Sequence, residues 1–173
     1  MLISIIIPTY NGQDTIGKLV TELIESTRSL FDLEIIVVND GSTDDTENTC
    51  IAIQHRYPAI VRFFSLAKNF GEHSAVMAGV HQVKGDYVVI MDDDFQNPVA
   101  EAIKLIDYAA AHPEHDVVYT YYGEKKHSLF RNLGSYFNDK VANIMLDKPK
   151  DLYLCSFKIF NKFVADNITR YDS

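Results

Sequence analysis

The sequence predicts an α/β fold, a Rossmann-like, mainly parallel sheet flanked by helices. Four short apolar runs, Ile3 to Ile7, Leu33 to Val38, residues 60–66 and Tyr87 to Met91, lack the alternation of a half-wetted strand and read as strands buried on both faces. Stretches of helical spacing separate them, so the strands are parallel with right-handed crossovers. The first, second and fourth runs end in turn-forming or acidic residues, at the strand edge where open α/β sheets bind ligands.

The first strand ends at Pro8-Thr9-Tyr10-Asn11-Gly12, a turn cluster, after which Ile16, Leu19, Val20, Leu23 and Ile24 recur on one helical face. The second ends at Asn39-Asp40-Gly41-Ser42-Thr43-Asp44-Asp45. There Ser42 is the expected N-cap of a helix containing Thr49 to His55, and Asp44 and Asp45 are acids favoured at that helix N-terminus. Lys68-Asn69-Phe70-Gly71 follow the third strand and precede a helix carrying Val76, Met77, Val80 and Val83. Asn97 and Pro98 read as the N-cap and first position of a helix running to about Ala111. A strand from Asp116 to Tyr121 comes next, and the regularity then weakens. Tyr122 to His127 is polar and basic, Leu129 to Leu146 has helical spacing, and Leu152 to Phe157 reads as a strand. Without a linker or an internal repeat, the 173 residues are expected to form one domain whose sheet ends near residue 121.

Asp92-Asp93-Asp94 close the fourth strand. If the chain stays extended, Asp92 and Asp94 point one way with Gln96 in phase, and Asp93 points the other. Two carboxylates and an amide oxygen suit a hard divalent ion, Mg²⁺ or Mn²⁺. The triplet alone is equally compatible with an acidic loop that caps the following helix. In the common strand order 3-2-1-4 the first and fourth strands are neighbours, so Pro8 to Asn11 and the acids face one crevice, with Asp40 at the adjacent strand end. That is a nucleotide-sized site beside a metal. Neither a Gly-x-Gly-x-x-Gly turn nor a phosphate-binding Gly-x-x-x-x-Gly-Lys loop is present, so a bound diphosphate needs a cation to neutralise it.

A net charge of −8 argues against nucleic acid as a partner, but the charge is unevenly spread. Residues 1–120 carry 7 Lys and Arg against 18 Asp and Glu, and residues 121–173 carry 9 against 6, which turns the later part toward an anionic partner. No apolar run is long enough to span a membrane and no signal-type segment opens the chain, so a cytoplasmic location is expected. Cys50 and Cys155 lack metal-binding spacing and are expected as reduced, buried thiols. His55, His73, His81, His112 and His115 show no ligand-like grouping and read as surface or helix-end residues.

Taken in order, Ile5-Ile6-Ile7-Pro8-Thr9-Tyr10-Asn11, Ile36-Val37-Val38-Asn39-Asp40-Gly41-Ser42-Thr43-Asp44, Asn69-Phe70-Gly71 and Gly85-Asp86-Tyr87 through Asp94 resemble the family 2 glycosyltransferases. Asp94-Phe95-Gln96-Asn97-Pro98 and Phe130-Arg131-Asn132-Leu133-Gly134-Ser135 are similar to the branch that transfers sugars to polyprenyl phosphates, as dolichol-phosphate mannose synthase does. The resemblance implies a GT-A fold, a nucleotide-diphosphate sugar donor, Mg²⁺ or Mn²⁺, and inversion at the anomeric carbon. It implies that Pro8, Thr9, Tyr10, Asn11 and Asp40 hold the nucleoside, Asp92 and Asp93 the nucleotide and sugar, and Asp92, Asp94 and Gln96 the metal, with Lys68 reaching the nucleotide. Residues 1–121 would then be the donor-binding part and residues 122–173 the acceptor side. A membrane-associated part beyond Ser173 would tether the protein at the cytoplasmic membrane face. Two departures bear on the acceptor. Tyr121-Tyr122-Gly123 stand where many relatives place an arginine, and Cys155-Ser156-Phe157-Lys158 stand where many read Ser-Gly-Phe-Arg.

A polyprenyl phosphate acceptor is ionised at neutral pH, with a second pKa of about 6, and needs cationic positioning rather than a base. Arg131, with Lys125 and Lys126, is the candidate for that, and Asp94 is the candidate catalytic residue of the donor site, where with Gln96 it would hold the cation that stabilises the departing diphosphate. A hydroxyl acceptor, as in cell-surface polysaccharide synthesis, requires a carboxylate base, for which Asp151 is the candidate. A non-catalytic nucleotide-sugar-binding domain is the alternative from another class. A signalling receiver domain would need acids where the first strand ends in Pro8-Thr9-Tyr10.

Overall fold

The computed structural model describes residues 1–120 and 156–171. Among them the chain forms, in order, β1 (Leu2–Thr9), α1 (Ile16–Thr27), β2 (Asp32–Asn39), α2 (Thr46–Arg56), β3 (Val61–Ser65), α3 (Glu72–Val80), β4 (Tyr87–Ile90), α4 (Val99–Ala111), β5 (Val117–Tyr119), β6 (Lys158–Asn161) and α5 (Lys162–Tyr171).

One sheet has the order β3-β2-β1-β4-β6-β5. The first four strands are parallel, with Ile5 opposite Ile35 on one side and Val89 on the other, and this is the expected 3-2-1-4 arrangement. Ile6, Ile36, Val38, Val88 and Ile90 turn to one face, where they pack with Ala75 and Val80 of α3, Phe160 of β6 and Ala165 of α5. Ile5, Ile7, Ile35, Val37 and Val89 are in opposite phase and equally buried, toward the layer of α1, α2 and α4. Each such side chain contributes about 1.5–3 kcal/mol on burial, so a one-residue slip of register is strongly disfavoured.

The edge of the sheet away from the acids is fastened by polar groups inside the protein. Ser4 donates its hydroxyl to Glu34 Oε1 at 2.5 Å, and Ser4 Oγ in turn accepts the Gly85 N–H at 2.8 Å. Glu34 also accepts the Lys84 N–H and pairs with Arg62 at 3.2 Å. These bonds hold the α3–β4 connection against the starts of β1 and β2.

Three expectations are corrected. The sheet does not end near residue 121, because β6 enters between β4 and β5, antiparallel to β4 with Phe160 opposite Val88. β6 itself begins at Lys158; of the stretch Leu152 to Phe157 expected as a strand, only Ser156 and Phe157 are described, and Phe157 is buried in the core with Ile159 and Phe160. Ser42 does not cap α2. Its hydroxyl binds Asn39 Oδ1, while Asp45 occupies the N-cap position without a side-chain cap bond and Asp44 Oδ1, one residue earlier, accepts the Thr46 N–H at 3.1 Å. Pro98, with φ −60° and ψ 146°, is the residue flanking α4, and Asn97 lies one position further out and is buried. The helix read from Leu129 to Leu146 lies outside the described residues.

Candidate functional site

Met91 still bonds to β1, donating its N–H to Ile6 O at 3.0 Å, so the acids emerge from the sheet edge already aligned with the end of β1. Asp93 turns toward that end, where its Oδ2 accepts the Thr9 hydroxyl. Gly12 makes room for this contact, since a Cβ there would overlap the Asp93 carboxylate. Asp92 turns the other way and accepts the Ser156 hydroxyl at 2.5 Å. The expected alternation therefore holds for these two. It fails beyond Asp94, because Phe95 has a left-handed φ of 59° and the extension stops. The reason for placing Gln96 in phase is lost. Its backbone N–H instead donates to Asp94 Oδ1 at 2.9 Å, which fixes the last carboxylate of the triplet.

The opposite wall is built on Asp40. Buried at the end of β2, it accepts the Phe70 N–H on Oδ1 at 2.8 Å and the Gly71 N–H on Oδ2 at 2.9 Å. The loop before α3 is thereby held over the strand ends. Between the walls lies a cavity of about 360 Å³ lined by Pro8, Thr9, Tyr10, Asp40, Asn69, Gly71, Glu72 and the three aspartates. A neighbouring cavity of about 340 Å³ shares Glu72 and adds His73, Val76, Ile90, Ser156 and Lys158.

Electrostatically the site is strained toward protonation. Burial pushes the Asp92 carboxyl up, opposed by the Ser156 bond, with Asp94 adding to the rise. Burial likewise pushes Asp93 up against the Thr9 bond, with Asp94 and Asp92 adding. Glu72 is raised by desolvation first and then by Asp92, while Lys158 and His73 pull it down. Carboxylates crowded in this way become comfortable when a cation shares their charge. The donors facing the cavity are oxygens, the set that hard divalent ions prefer.

Of the residues singled out in the sequence, Pro8, Thr9, Tyr10, Asp40, Asp92, Asp93 and Asp94 come together around one cavity. Asn11 does not line it. Its Oδ1 accepts the Thr43 N–H at 2.9 Å and its own N–H donates to Ser42 Oγ, tying the β1 and β2 loops together. Lys68 also stays outside the lining, with its ammonium 5.1 Å from the centre of the Phe70 ring. Lys125, Lys126, Arg131 and Asp151 lie outside the described residues. Sequence reasoning missed Asn69, Gly71, Glu72, Ser156 and Lys158 as cavity residues. The signal for the first three was their place at a parallel-strand end, and for the last two the Cys155-Ser156-Phe157-Lys158 stretch.

Residues 4–169 match the sequence profile described as glycosyl transferase family 2. The chain is 32% identical over 165 residues to an undecaprenyl-phosphate 4-deoxy-4-formamido-L-arabinose transferase of Sodalis glossinidius, an alignment covering 95% of this chain and 50% of that protein. The chain thus spans about half the length of the curated relatives it matches. Among solved structures, glucosyl-3-phosphoglycerate synthase of Mycobacterium tuberculosis, in complex with Mn²⁺, UDP and phosphoglyceric acid, superposes with a TM-score of 0.71 at 21% identity, covering 94% of this chain and 56% of that one. A mannosyltransferase of Pyrobaculum calidifontis, in complex with GDP-mannose and Mn²⁺, gives 0.68 at 18% identity, covering 96% and 46%. The shared fold is that of the GT-A glycosyltransferases. With the profile running through nearly the whole chain and a relative 32% identical over 95% of it, this chain belongs to glycosyl transferase family 2.

Proposed function

We propose that this chain is a glycosyltransferase domain, inverting and metal-dependent, that moves a sugar from a nucleotide-diphosphate sugar to a polyprenyl phosphate at the cytoplasmic membrane face. The observation that carries the reading is the cavity that gathers Asp92, Asp93 and Asp94 with Asp40 and the end of β1. Relatives named for transfer to undecaprenyl phosphate support the choice of acceptor. Among the described residues no helix is long and apolar enough to cross a membrane. Within the chain, residues 1–121 are assigned to the donor and 122–173 to the acceptor side.

Asp92 and Asp94 fit a divalent cation, Mg²⁺ or Mn²⁺, by their oxygen donors and by the crowding that a cation relieves. When bound, such an ion stabilises the negative charge of a departing diphosphate by several kcal/mol. Pro8, Thr9, Tyr10 and Asp40 frame the nucleoside, and Asp93, held by Thr9, keeps the acidic loop at its place against β1. The acceptor phosphate oxygen forms its bond to the anomeric carbon as the bond to the diphosphate breaks. Being ionised already, it surrenders no proton. His73 and Lys158 line the adjoining cavity, and Arg131, Lys125 and Lys126 are the further cations assigned to the acceptor.

The test is a transfer assay on the full-length protein with UDP- and GDP-sugars and a short polyprenyl phosphate. Sugar should appear on the lipid. If only a hydroxyl acceptor is glycosylated, the phosphate acceptor is wrong.

A further inference from the structure

A second group of metal-ligating side chains lies far from the acidic cavity. Helix α4 starts beside the acidic loop and runs thirteen residues, about 20 Å at 1.5 Å per residue, before it ends. The chain there reads Ala111-His112-Pro113-Glu114-His115-Asp116 and enters β5. Contrary to the reading of the histidines as ungrouped, His112 Nδ1 lies 3.2 Å from Glu114 Oε1, and His115 Nε2 lies 4.0 Å from the same oxygen. One ligand atom from each of the three is within 4.8 Å of the other two.

A helix C-terminus favours a histidine, which accounts for His112 alone. It does not account for the convergence of three side chains. Tyr108, one turn earlier on α4, has its ring 4.4 Å from that of His112 and 6.4 Å from that of His115, and the two imidazoles are 5.9 Å apart. The stack limits the rotamers open to both imidazoles, and Pro113 fixes φ between the ligands. Tetrahedral bonds of about 2.0–2.1 Å place ligand atoms roughly 3.3 Å apart, so closure asks for shifts of about 1 Å in surface side chains.

We propose that His112, Glu114 and His115 form a binding site for a transition-metal cation of the Zn²⁺, Ni²⁺ or Cu²⁺ class. Imidazole nitrogens prefer such ions, whereas the oxygen-only acidic cavity suits Mg²⁺ or Mn²⁺, so the two sites sort metals by ligand chemistry. Binding exchanges the hydrogen bond between His112 and Glu114 for two metal bonds, and the one N–H proton of the neutral His112 imidazole resides on the ring nitrogen that does not bind the ion. Water completes the coordination. The bound ion ties the C-terminus of α4 to the segment leading into β5 and stabilises the fold by mass action.

The test is calorimetric titration of Zn²⁺ into the protein in excess Mg²⁺, repeated in Asp94→Ala to remove the acidic cavity as a competitor. One saturable equivalent is expected in both. Its affinity should fall at least tenfold in His112→Ala and in His115→Ala, and the Zn²⁺-dependent rise in Tm should vanish in each. Circular dichroism checks that these surface variants fold. Zn²⁺ affinity within twofold of wild type in both histidine variants, or the absence of a saturable equivalent, overturns the site.

Discussion

Replacing Asp40 with alanine removes both acceptors that hold the loop before α3. The side chain is 3% exposed, and its oxygens accept the Phe70 and Gly71 N–H groups at 2.8 and 2.9 Å. Hydrogen bonds to a charged group contribute about 1.5–3 kcal/mol each, which bounds the loss at about 3–6 kcal/mol. Phe70 is well exposed and Gly71 partly so, and water satisfies part of what is lost. The expected cost is therefore about 2–4 kcal/mol, or a fall in Tm of about 5–15 °C for a chain of this size. Asp40→Asn keeps one acceptor oxygen but turns an NH₂ toward the other N–H, so it should cost at least half as much. Urea unfolding followed by circular dichroism measures both. Because Asn69, Gly71 and Glu72 line the cavity, nucleotide affinity should fall in Asp40→Ala even at temperatures where it stays folded. Stability within 0.5 kcal/mol of wild type would show that the carboxylate does not hold this loop and would remove one wall from the proposed site.

Gly41 has φ +65°, and a Cβ there would lie 2.7 Å from Lys68 Cα, so Gly41→Ala should destabilise by about 2–4 kcal/mol in the same unfolding assay. A neutral effect would mean that the β2 and β3 loops are not in contact there. The Cys50 thiol is pushed up to about 12 by burial, with Asp93, Asp44 and Glu47 adding. In a Cys155→Ser background at pH 8, it should react with a thiol reagent about 10³-fold more slowly than a free cysteine until urea unfolds the chain. The neutral thiol is the form the fold favours, so Cys50 has no effect on stability below pH 9 and becomes destabilising as the pH rises from about 9 toward 12. Rapid labelling without denaturant would contradict the burial.

Strand order and the placing of the acids were legible because they follow from short-range patterns. Unbroken apolar runs announce buried parallel strands, and the 3-2-1-4 order brings Pro8, Asp40 and Asp92 to one edge whatever the details of packing. What was not legible depends on contacts distant in sequence. Lys158–Asn161 joins β4 because β1 leaves the other side of β4 open, and a four-residue strand carries too little periodicity to reveal that. The break at Phe95 is a left-handed turn without a glycine to announce it, and it removes Gln96 from phase with Asp94. Ser42 has the composition of a helix cap, but Asn39 and Asn11 compete for its hydroxyl and win. Glu72 gave no motif of its own. Its nearness to Asp92 arises only when Asp40 pulls the loop before α3 over the strand ends.

The acidic cavity is tested most directly by calorimetric titration of UDP, GDP and their sugar conjugates, with and without Mn²⁺, into wild type and Asp94→Ala. Asp94 faces the cavity with its Oδ1 held by the Gln96 N–H, so the alanine variant removes a carboxylate without disturbing the sheet. Saturable binding of one nucleotide that requires Mn²⁺ in wild type and is lost in Asp94→Ala is the expected result. Binding of equal affinity with and without Mn²⁺, or equal in wild type and variant, would contradict a donor site built on these acids.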